Sequence, residues 1–209
     1  YNLVASLYPY ATQPVGETAF QAEVLYTIPK GTKLGGKYGT SINANYSVAY
    51  RPTQHTSGIN PNDSTGVTYR SGLFDMSDSL YWQDFNINIT RKFNKNLYAI
   101  LSYYNIVLNN DVATVTKEQG YIKSNIIVGE LGYKFANKSS IRTELQWLVV
   151  NRKAGNPVDK GDWATLLIEY TINSNWFLSI MDQYNYVSFD NSVLEDTDGK
   201  YHRAHHPYL

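Results

Sequence analysis

Polar and apolar residues alternate along most of this chain, in runs of about ten residues that are separated by connections. The clearest run is residues 37–50, where Ile42 and Tyr46 stand at even positions and Asn43 and Asn45 at odd positions. A period of two places such sets on opposite faces of a β-strand. The pattern therefore predicts an all-β protein whose strands each have one apolar and one polar face.

Nine strands are predicted in this way, and a tenth is expected after Pro207. In chain order they are residues 2–8, 18–28, 37–50, 80–93, 97–108, 120–135, 141–150, 163–172 and 176–186. No helix of useful length is predicted.

Three of these strands depart from simple alternation. In residues 176–186, Asp182 has the parity of the apolar residues. Residues 97–108 are apolar on both faces. In residues 120–135, Ile126 has the same parity as Glu130, whereas Leu131 has the opposite parity. One extra residue reverses the alternation of a strand, so this pattern predicts a β-bulge in the strand.

The connections between strands are alternately short and long. Such a rhythm is typical of a transmembrane β-barrel, where the turns on one side of the membrane are short and the loops on the other are long. We therefore predict an antiparallel up-and-down transmembrane β-barrel with short periplasmic turns and long extracellular loops. Residues 51–79 form the longest extracellular loop, which we expect to fold over or into the barrel. The short connections are residues 93–96, 136–139 and 173–175, and the long ones are 109–119, 151–161 and 190–207.

Composition agrees with a membrane barrel. Charged residues make up 17% of the chain, below the roughly 25% of soluble domains. The 19 tyrosines suit a membrane–water interface, because the ring is apolar and the hydroxyl polar. The chain has no run of about 18 apolar residues, so no transmembrane helix is predicted. The net charge of zero gives no indication of nucleic-acid binding, and the chain has no cysteine for a disulfide or thiolate site.

We expect residues 1–209 to be a single β-barrel segment of a larger barrel. The chain has no initiator methionine, and it stops before a strand that would follow the last long loop. An isolated segment would leave two unpaired strand edges in lipid. Further residues, or another chain, are therefore expected to complete the barrel.

A soluble β-sandwich or a lipocalin-like barrel also shows alternation. In those folds the polar strand face would meet water. The polar positions here are mainly Asn, Gln, Ser and Thr with few lysines, unlike a charged, solvated surface. This difference, together with the loop rhythm, favours the membrane barrel.

The polar strand positions are the candidate functional residues, and we predict that they face the lumen. Opposite charges beside many amides and hydroxyls are typical of a path for polar solutes. The alternative is that these side chains fill the interior of a plugged barrel. The predicted lumen-facing residues are Gln21, Glu23, Asn43, Asn45, Asp84, Asn86, Asn88, Arg142, Glu144, Gln146 and Glu169.

No catalytic residue, cofactor or metal site is predicted. The histidines of HRAHH, residues 202–206, lack a fixed acidic or cysteine ligand beside them. The acidic stretch DNSVLEDTDG, residues 190–199, lacks the ligand spacing of an EF-hand. No histidine lies in a predicted strand to serve as a general base, and His55 lies in the long loop. The chain is therefore predicted not to be an enzyme.

Two stretches resemble a family of uncharacterised outer-membrane β-barrel proteins of the Bacteroidota. Residues 7–40 carry this resemblance, above all GTKLGGKYGT at residues 31–40, and SIMDQYNY at residues 179–186 is similar to the same family. The resemblance implies an outer-membrane location and a large barrel with further strands on both sides. It brings no catalytic residues.

The sequence thus leads to two functional hypotheses. The first is a passive channel or transport scaffold for polar solutes in the bacterial outer membrane. The alternative is a non-conducting barrel subunit or docking platform in an outer-membrane protein complex. The predicted partners are outer-membrane lipid and, for the alternative above all, other outer-membrane proteins or lipoproteins bound through tyrosine-rich loops.

Overall fold

Eight long antiparallel strands and one short strand form a single sheet. The computed structural model describes residues 9–59, 69–113, 120–136, 138–151, 161–187 and 205–208. One helical turn, α1 (Asn110–Ala113), lies between β4 and β5. The strands are β1 (Thr18–Ile28), β2 (Thr40–Pro52), β3 (Met76–Lys92), β4 (Leu97–Asn109), β5 (Tyr121–Lys134), β6 (Ser140–Asn151), β7 (Asp162–Thr171), β8 (Phe177–Val187) and β9 (His205–Tyr208).

The topology is up-and-down: each strand pairs with its neighbours in the sequence, from β1 through to β9. Every pairing is antiparallel. Within the described ranges β1 pairs with β2 alone and β9 with β8 alone. The sheet is therefore open, and it is not closed into a barrel.

Eight of the predicted strands correspond to β1 through β8, with bounds that differ by a few residues. The predicted strand 2–8 lies outside the described residues. The prediction of a loop up to Pro207, with the next strand after it, was wrong, because β9 begins at His205. Backbone pairing with residues 181–184 of β8 makes this short segment a strand.

The predicted β-bulge in β5 was also wrong. β5 pairs with β4 and β6 without a register shift, so Ile126 and Glu130 lie on the same face. The expectation failed because it assumed a uniformly polar face, whereas part of that face is apolar and buried. Register shifts occur instead in the β2–β3 pairing beside Tyr50 and in the β7–β8 pairing between Asp162 and Trp163.

The described part of the longest loop continues the β2–β3 hairpin. The backbone N–H of Thr53 donates to the carbonyl oxygen of Asp75 at 3.1 Å. Beyond this contact, His55 and Arg70 form an antiparallel bridge. The loop that was predicted to span residues 51–79 is thus shorter, because β2 ends at Pro52 and β3 begins at Met76.

The two faces of the sheet differ in burial. We call the face that carries Asn43, Asn86 and Glu144 the front face, and the opposite one the back face. Glu144 on the front face is 1% exposed, whereas its neighbour Leu145 on the back face is 59% exposed. The back face is therefore an uncovered and mainly apolar surface, on which Asp182 of β8 lies opposite Leu166.

In the described part of the chain, no helix is long and apolar enough to cross a membrane.

An apolar cluster occupies the front face at the end of the sheet near the long loops. Tyr10, which precedes β1, packs against this cluster and stacks on Trp82 with 5.6 Å between ring centroids. The segment before β1 therefore lies across the front face at this end. The cluster consists of Ile106, Leu108, Ile122, Ile126, Val128, Leu148 and Val150.

Candidate functional site

The strand register places all of the predicted lumen-facing residues on the front face. In the β1–β2 pairing Glu23 lies opposite Asn45, and in the β2–β3 pairing Asn45 lies opposite Asn86. In the β6–β7 pairing Arg142 lies opposite Glu169. The remaining members on this face are Gln21, Asn43, Asp84, Asn88, Glu144 and Gln146.

One group of these residues lies on β1 to β3 and consists of amide side chains with the carboxylates that they contact. We call this group the amide ladder. The Asn43 amide nitrogen donates to Oε1 of Glu23 at 2.8 Å, and that of Gln21 donates to Oδ1 of Asn45 at 2.9 Å. On β3, the Asn86 amide donates to Oδ2 of Asp84 at 3.1 Å.

Oδ1 of Asn43 and Oδ1 of Asp84 are buried and accept no hydrogen bond from any part of the chain that the structure describes. An unpaired buried acceptor is costly. These two buried oxygens are therefore unsatisfied acceptors on the front face.

Charged side chains form a second group nearer the short turns, which we call the carboxylate cluster. Nη2 of Arg142 donates to Glu130 at 2.9 Å and to Glu144 at 2.5 Å, while Nη1 donates to Glu169 at 2.6 Å. The Gln146 amide also donates to Glu144, at 2.6 Å. Short charge-assisted hydrogen bonds of this kind hold the planar guanidinium in one orientation.

The carboxylate cluster runs from buried to accessible. The side chains of Glu144 and Glu130 are 2% and 10% exposed, whereas that of Glu169 is 36% exposed. Three carboxylates share one guanidinium, so the cluster has an excess of negative charge when all are ionised. The accessible part around Glu169 and Arg142 is therefore able to meet a solute through both a carboxylate and a cation.

Tyr98 and Gly132 position Glu130 within the carboxylate cluster. The Tyr98 hydroxyl donates to Oε1 of Glu130 at 2.9 Å. Its ring lies across Gly132, the residue opposite it on β5, so closely that a Cβ at Gly132 would be 2.2 Å from Cε1 of Tyr98. An aromatic ring that covers a cross-strand glycine is a known device for fixing strand register.

Sequence reasoning omitted Glu130 and Tyr98 from the candidate site. Glu130 was set aside because its parity matched that of apolar residues such as Ile126, which led to the predicted bulge. In the continuous register it lies directly opposite Glu144. Uninterrupted alternation along β5 was the signal that would have placed Glu130 on the same face as Ile126.

The other sequence candidates do not join this site. His55 contacts Asp75 in the long loop, with 3.1 Å between Nε2 and Oδ2. His205 and His206 lie in β9 opposite Tyr184 and Gln183. His202 and the acidic stretch 190–199 lie outside the described residues. Among the described residues, no group of three or more His, Cys, Asp or Glu side chains is placed to hold a metal ion.

Comparison with known proteins identifies a family for this chain. No curated protein matches the chain, and neither does any solved structure. Residues 1–208 match a family of unknown function, DUF6029. The match spans nearly the whole sequence, and the chain therefore belongs to the DUF6029 family.

Proposed function

We propose that this chain forms part of the wall of a bacterial outer-membrane β-barrel that serves as a passive channel or transport scaffold for polar solutes. The observation that carries this proposal is the contrast between the two faces of one sheet. The back face is uncovered and mainly apolar, with Asp182 as a charged exception, while the front face carries hydrogen-bonded amides and carboxylates. A membrane barrel needs this division, since its strands meet lipid on one side and the lumen on the other.

The height of the apolar surface fits a bilayer. On the back face it extends over residues 85–93 of β3 and the turn after it, 127–135 of β5 and the turn after it, and 141–149 of β6. Each range is about nine residues long, and Arg91 lies near the turn end of the first. Nine to eleven residues of a tilted strand cross the hydrocarbon core. Closer to the long loops the back face becomes polar. There the Asn105 amide donates to Oδ1 of Asn125 at 2.9 Å.

Aromatic residues border the apolar surface at the short turns. Phe135 contacts Tyr133 and Tyr170 in edge-to-face geometry, with ring centroids 4.9 Å and 6.4 Å apart. Phe93 and Trp176 lie at the adjacent turns and are largely exposed. Aromatic girdles of this kind mark the interfaces of membrane barrels. We infer that the short turns are periplasmic and the long loops extracellular.

Closure of the barrel requires further strands. Because all pairings are antiparallel and in sequence order, β1 and β9 run in the same direction. A closed antiparallel barrel therefore needs an odd number of additional strands between these two edges. The odd number gives an even total, as in bacterial outer-membrane barrels. We propose that this polypeptide or another chain supplies them.

The front face supports passage of polar rather than apolar solutes. The amide ladder offers donors and acceptors at β1 to β3, and the carboxylate cluster adds charge at β5 to β7. Rings of charged and polar side chains set selectivity in aqueous pores. The excess of carboxylates favours cations and neutral hydroxylated solutes over anions.

A non-conducting barrel that docks other outer-membrane proteins or lipoproteins is the second candidate. One observation favours it: the apolar cluster on the front face is buried, and Tyr10 packs against it. An interior packed with apolar side chains at that height would narrow or block an aqueous path. The two candidates therefore differ in the state of the lumen.

Single-channel recording of the full-length protein in planar bilayers tests this function. We expect discrete open steps, with cation selectivity that falls in Asp84→Asn and Glu144→Gln. Leu145→Val on the back face serves as the matched control and should leave the steps unchanged. A silent bilayer containing inserted protein would overturn conduction and favour the docking platform.

A further inference from the structure

We propose that the back face binds one anionic phospholipid, with an acyl chain in a groove across β3 to β6 and the phosphate at Arg91. This inference rests on the proposed membrane location and adds a defined ligand site to it. Three features of the back face carry it: a groove, an unpaired cation at its end, and the charge of the surrounding edge.

The groove arises from small residues between larger ones. Ala99 and Gly129 form its floor on β4 and β5, and Ile89, Leu101, Leu131 and Leu145 are among the residues that line it. Its volume is about 580 Å³. A Cβ placed on Gly129 would have no atom within 4 Å, which shows that the space above this glycine is open. An apolar groove of this kind accommodates a hydrocarbon chain through dispersion contacts.

Arg91 lies at the end of the groove that is nearest the short turns. Its guanidinium carbon is 5.6 Å from the centroid of the Phe93 ring. On the other side it approaches the β1–β2 turn, where a Cβ at Gly36 would lie 3.0 Å from Nη2. These two neighbours hold the guanidinium at the border of the apolar surface. None of the ion pairs within the described residues involves Arg91.

The edge of the sheet around Arg91 is uniformly basic. The stretches 29–39, 90–97, 134–140 and 172–176, which contain the short turns, have no aspartate or glutamate. An arginine in these surroundings attracts a phosphate. Glu130 is the one carboxylate among the residues that line the groove, and its side chain pairs with Arg142. The basic residues of these stretches are Lys30, Lys33, Lys37, Arg91, Lys92, Lys95, Lys134 and Lys138.

A phospholipid fits this arrangement better than a free phosphate ion does. The cation and the apolar groove are continuous, so one molecule with a charged head and a hydrocarbon tail satisfies both. Free phosphate would use Arg91 alone and leave the groove empty. An anionic headgroup is favoured over a zwitterionic one, because every charged side chain in these turns is positive.

Two substitutions separate the head site from the tail site. Arg91→Gln removes the cation, and we expect about a fivefold loss of affinity for phosphatidylglycerol, since one basic residue near an anionic surface contributes about 1 kcal/mol. Gly129→Leu fills the groove, and the open space above this glycine allows the side chain without a clash. The matched control is Lys92→Gln, which removes a neighbouring charge on the opposite face of β3.

Native mass spectrometry of the full-length protein, titrated in detergent with phosphatidylglycerol and separately with phosphatidylcholine, measures this binding. We expect one tightly bound phosphatidylglycerol, weakened in Arg91→Gln and Gly129→Leu and unchanged in Lys92→Gln. Equal binding by all variants, or equal affinity for the two lipids, would overturn the site. Inorganic phosphate that competes fully would show an ion site without a lipid tail.

Insertion into liposomes, measured for the same variants by flotation and resistance to urea extraction, separates this proposal from the one on which it rests. Protein that inserts but shows no selective lipid binding would overturn the lipid site alone. Protein that fails to insert would overturn both the membrane location and the lipid site.

Discussion

Glu130 and Glu144 lie directly opposite each other on β5 and β6, and Nη2 of Arg142 donates to both carboxylates. Like charges at opposed positions repel each other. Arg142 is therefore the group that allows two nearly buried carboxylates to share one face of the sheet. The stability of this region should depend on that single guanidinium.

Arg142→Met should destabilise the protein by roughly 3 kcal/mol, because it leaves buried carboxylates without their counter-ion. Urea unfolding of the full-length protein in detergent, followed by tryptophan fluorescence, measures the change. Arg51→Met is the control, since Arg51 is exposed and contacts Gln54. The pairing account fails if the two variants lose similar stability.

Combining Arg142→Met with Glu144→Gln should restore part of the lost stability, since the second change removes one of the opposed charges. The double-mutant cycle isolates this coupling from the general effect of each substitution. Strictly additive losses would mean that Arg142 acts through packing of its alkyl chain alone.

Two glycines of β5 should respond in opposite ways to the same substitution. Gly132→Ala places a methyl group against the Tyr98 ring and should cost about 1–3 kcal/mol through overpacking. Gly129→Ala meets no neighbour and should be neutral or stabilising by about 0.5–1 kcal/mol. The same urea titration compares them. Equal effects would show that Tyr98 does not lie over Gly132.

The hairpin beyond β2 and β3 should loosen in acid. A hydrogen bond from the Gly72 backbone N–H, and a second contact with His55, hold the pKa of Asp75 below its ordinary value of 3.8. The stabilisation is thus fully present above that value, and it is lost as the pH falls through the lowered pKa of the folded state. Hydrogen exchange of His55 and Arg70 amides, corrected for intrinsic rates, should accelerate below about pH 4.

Asp75→Asn is the control for this pH effect. The amide retains the shape of the side chain but does not titrate in this range, so the variant should exchange equally at pH 5 and pH 3 after correction. Acceleration in acid that persists in the variant would assign the effect to another group.

Local periodicity predicted most of the strands from β1 to β8, because the alternation of apolar and polar residues is a signal contained within each strand. β4 is the exception, since it is apolar on both faces. Periodicity was sufficient to place Gln21, Asn86 and Glu169 on a common face. The identity of that face as a lumen stays a prediction, since it depends on strands that complete the sheet.

The interactions that the sequence could not predict are those between strands. The contact of Arg142 with Glu130 depends on the register of β5 against β6, and no single strand contains that information. Strand β9 pairs with β8 over residues 181–184 only, and its short length carries no periodic signal. The apolar cluster around Leu148 was missed because one face of each strand was assumed to be polar along its whole length. Near the long loops that face is apolar.

The most direct test of the central claim compares neighbouring residues on the two faces of one strand in a bilayer. This chain has no cysteine, so single cysteines at Val24 and Ile87 on the back face and at Glu23 and Asn86 on the front face can each carry a spin label. We predict that the back-face labels in liposomes collide mainly with oxygen, and the front-face labels mainly with a water-soluble nickel complex. Equal access of the nickel complex to both faces would contradict a membrane-embedded wall.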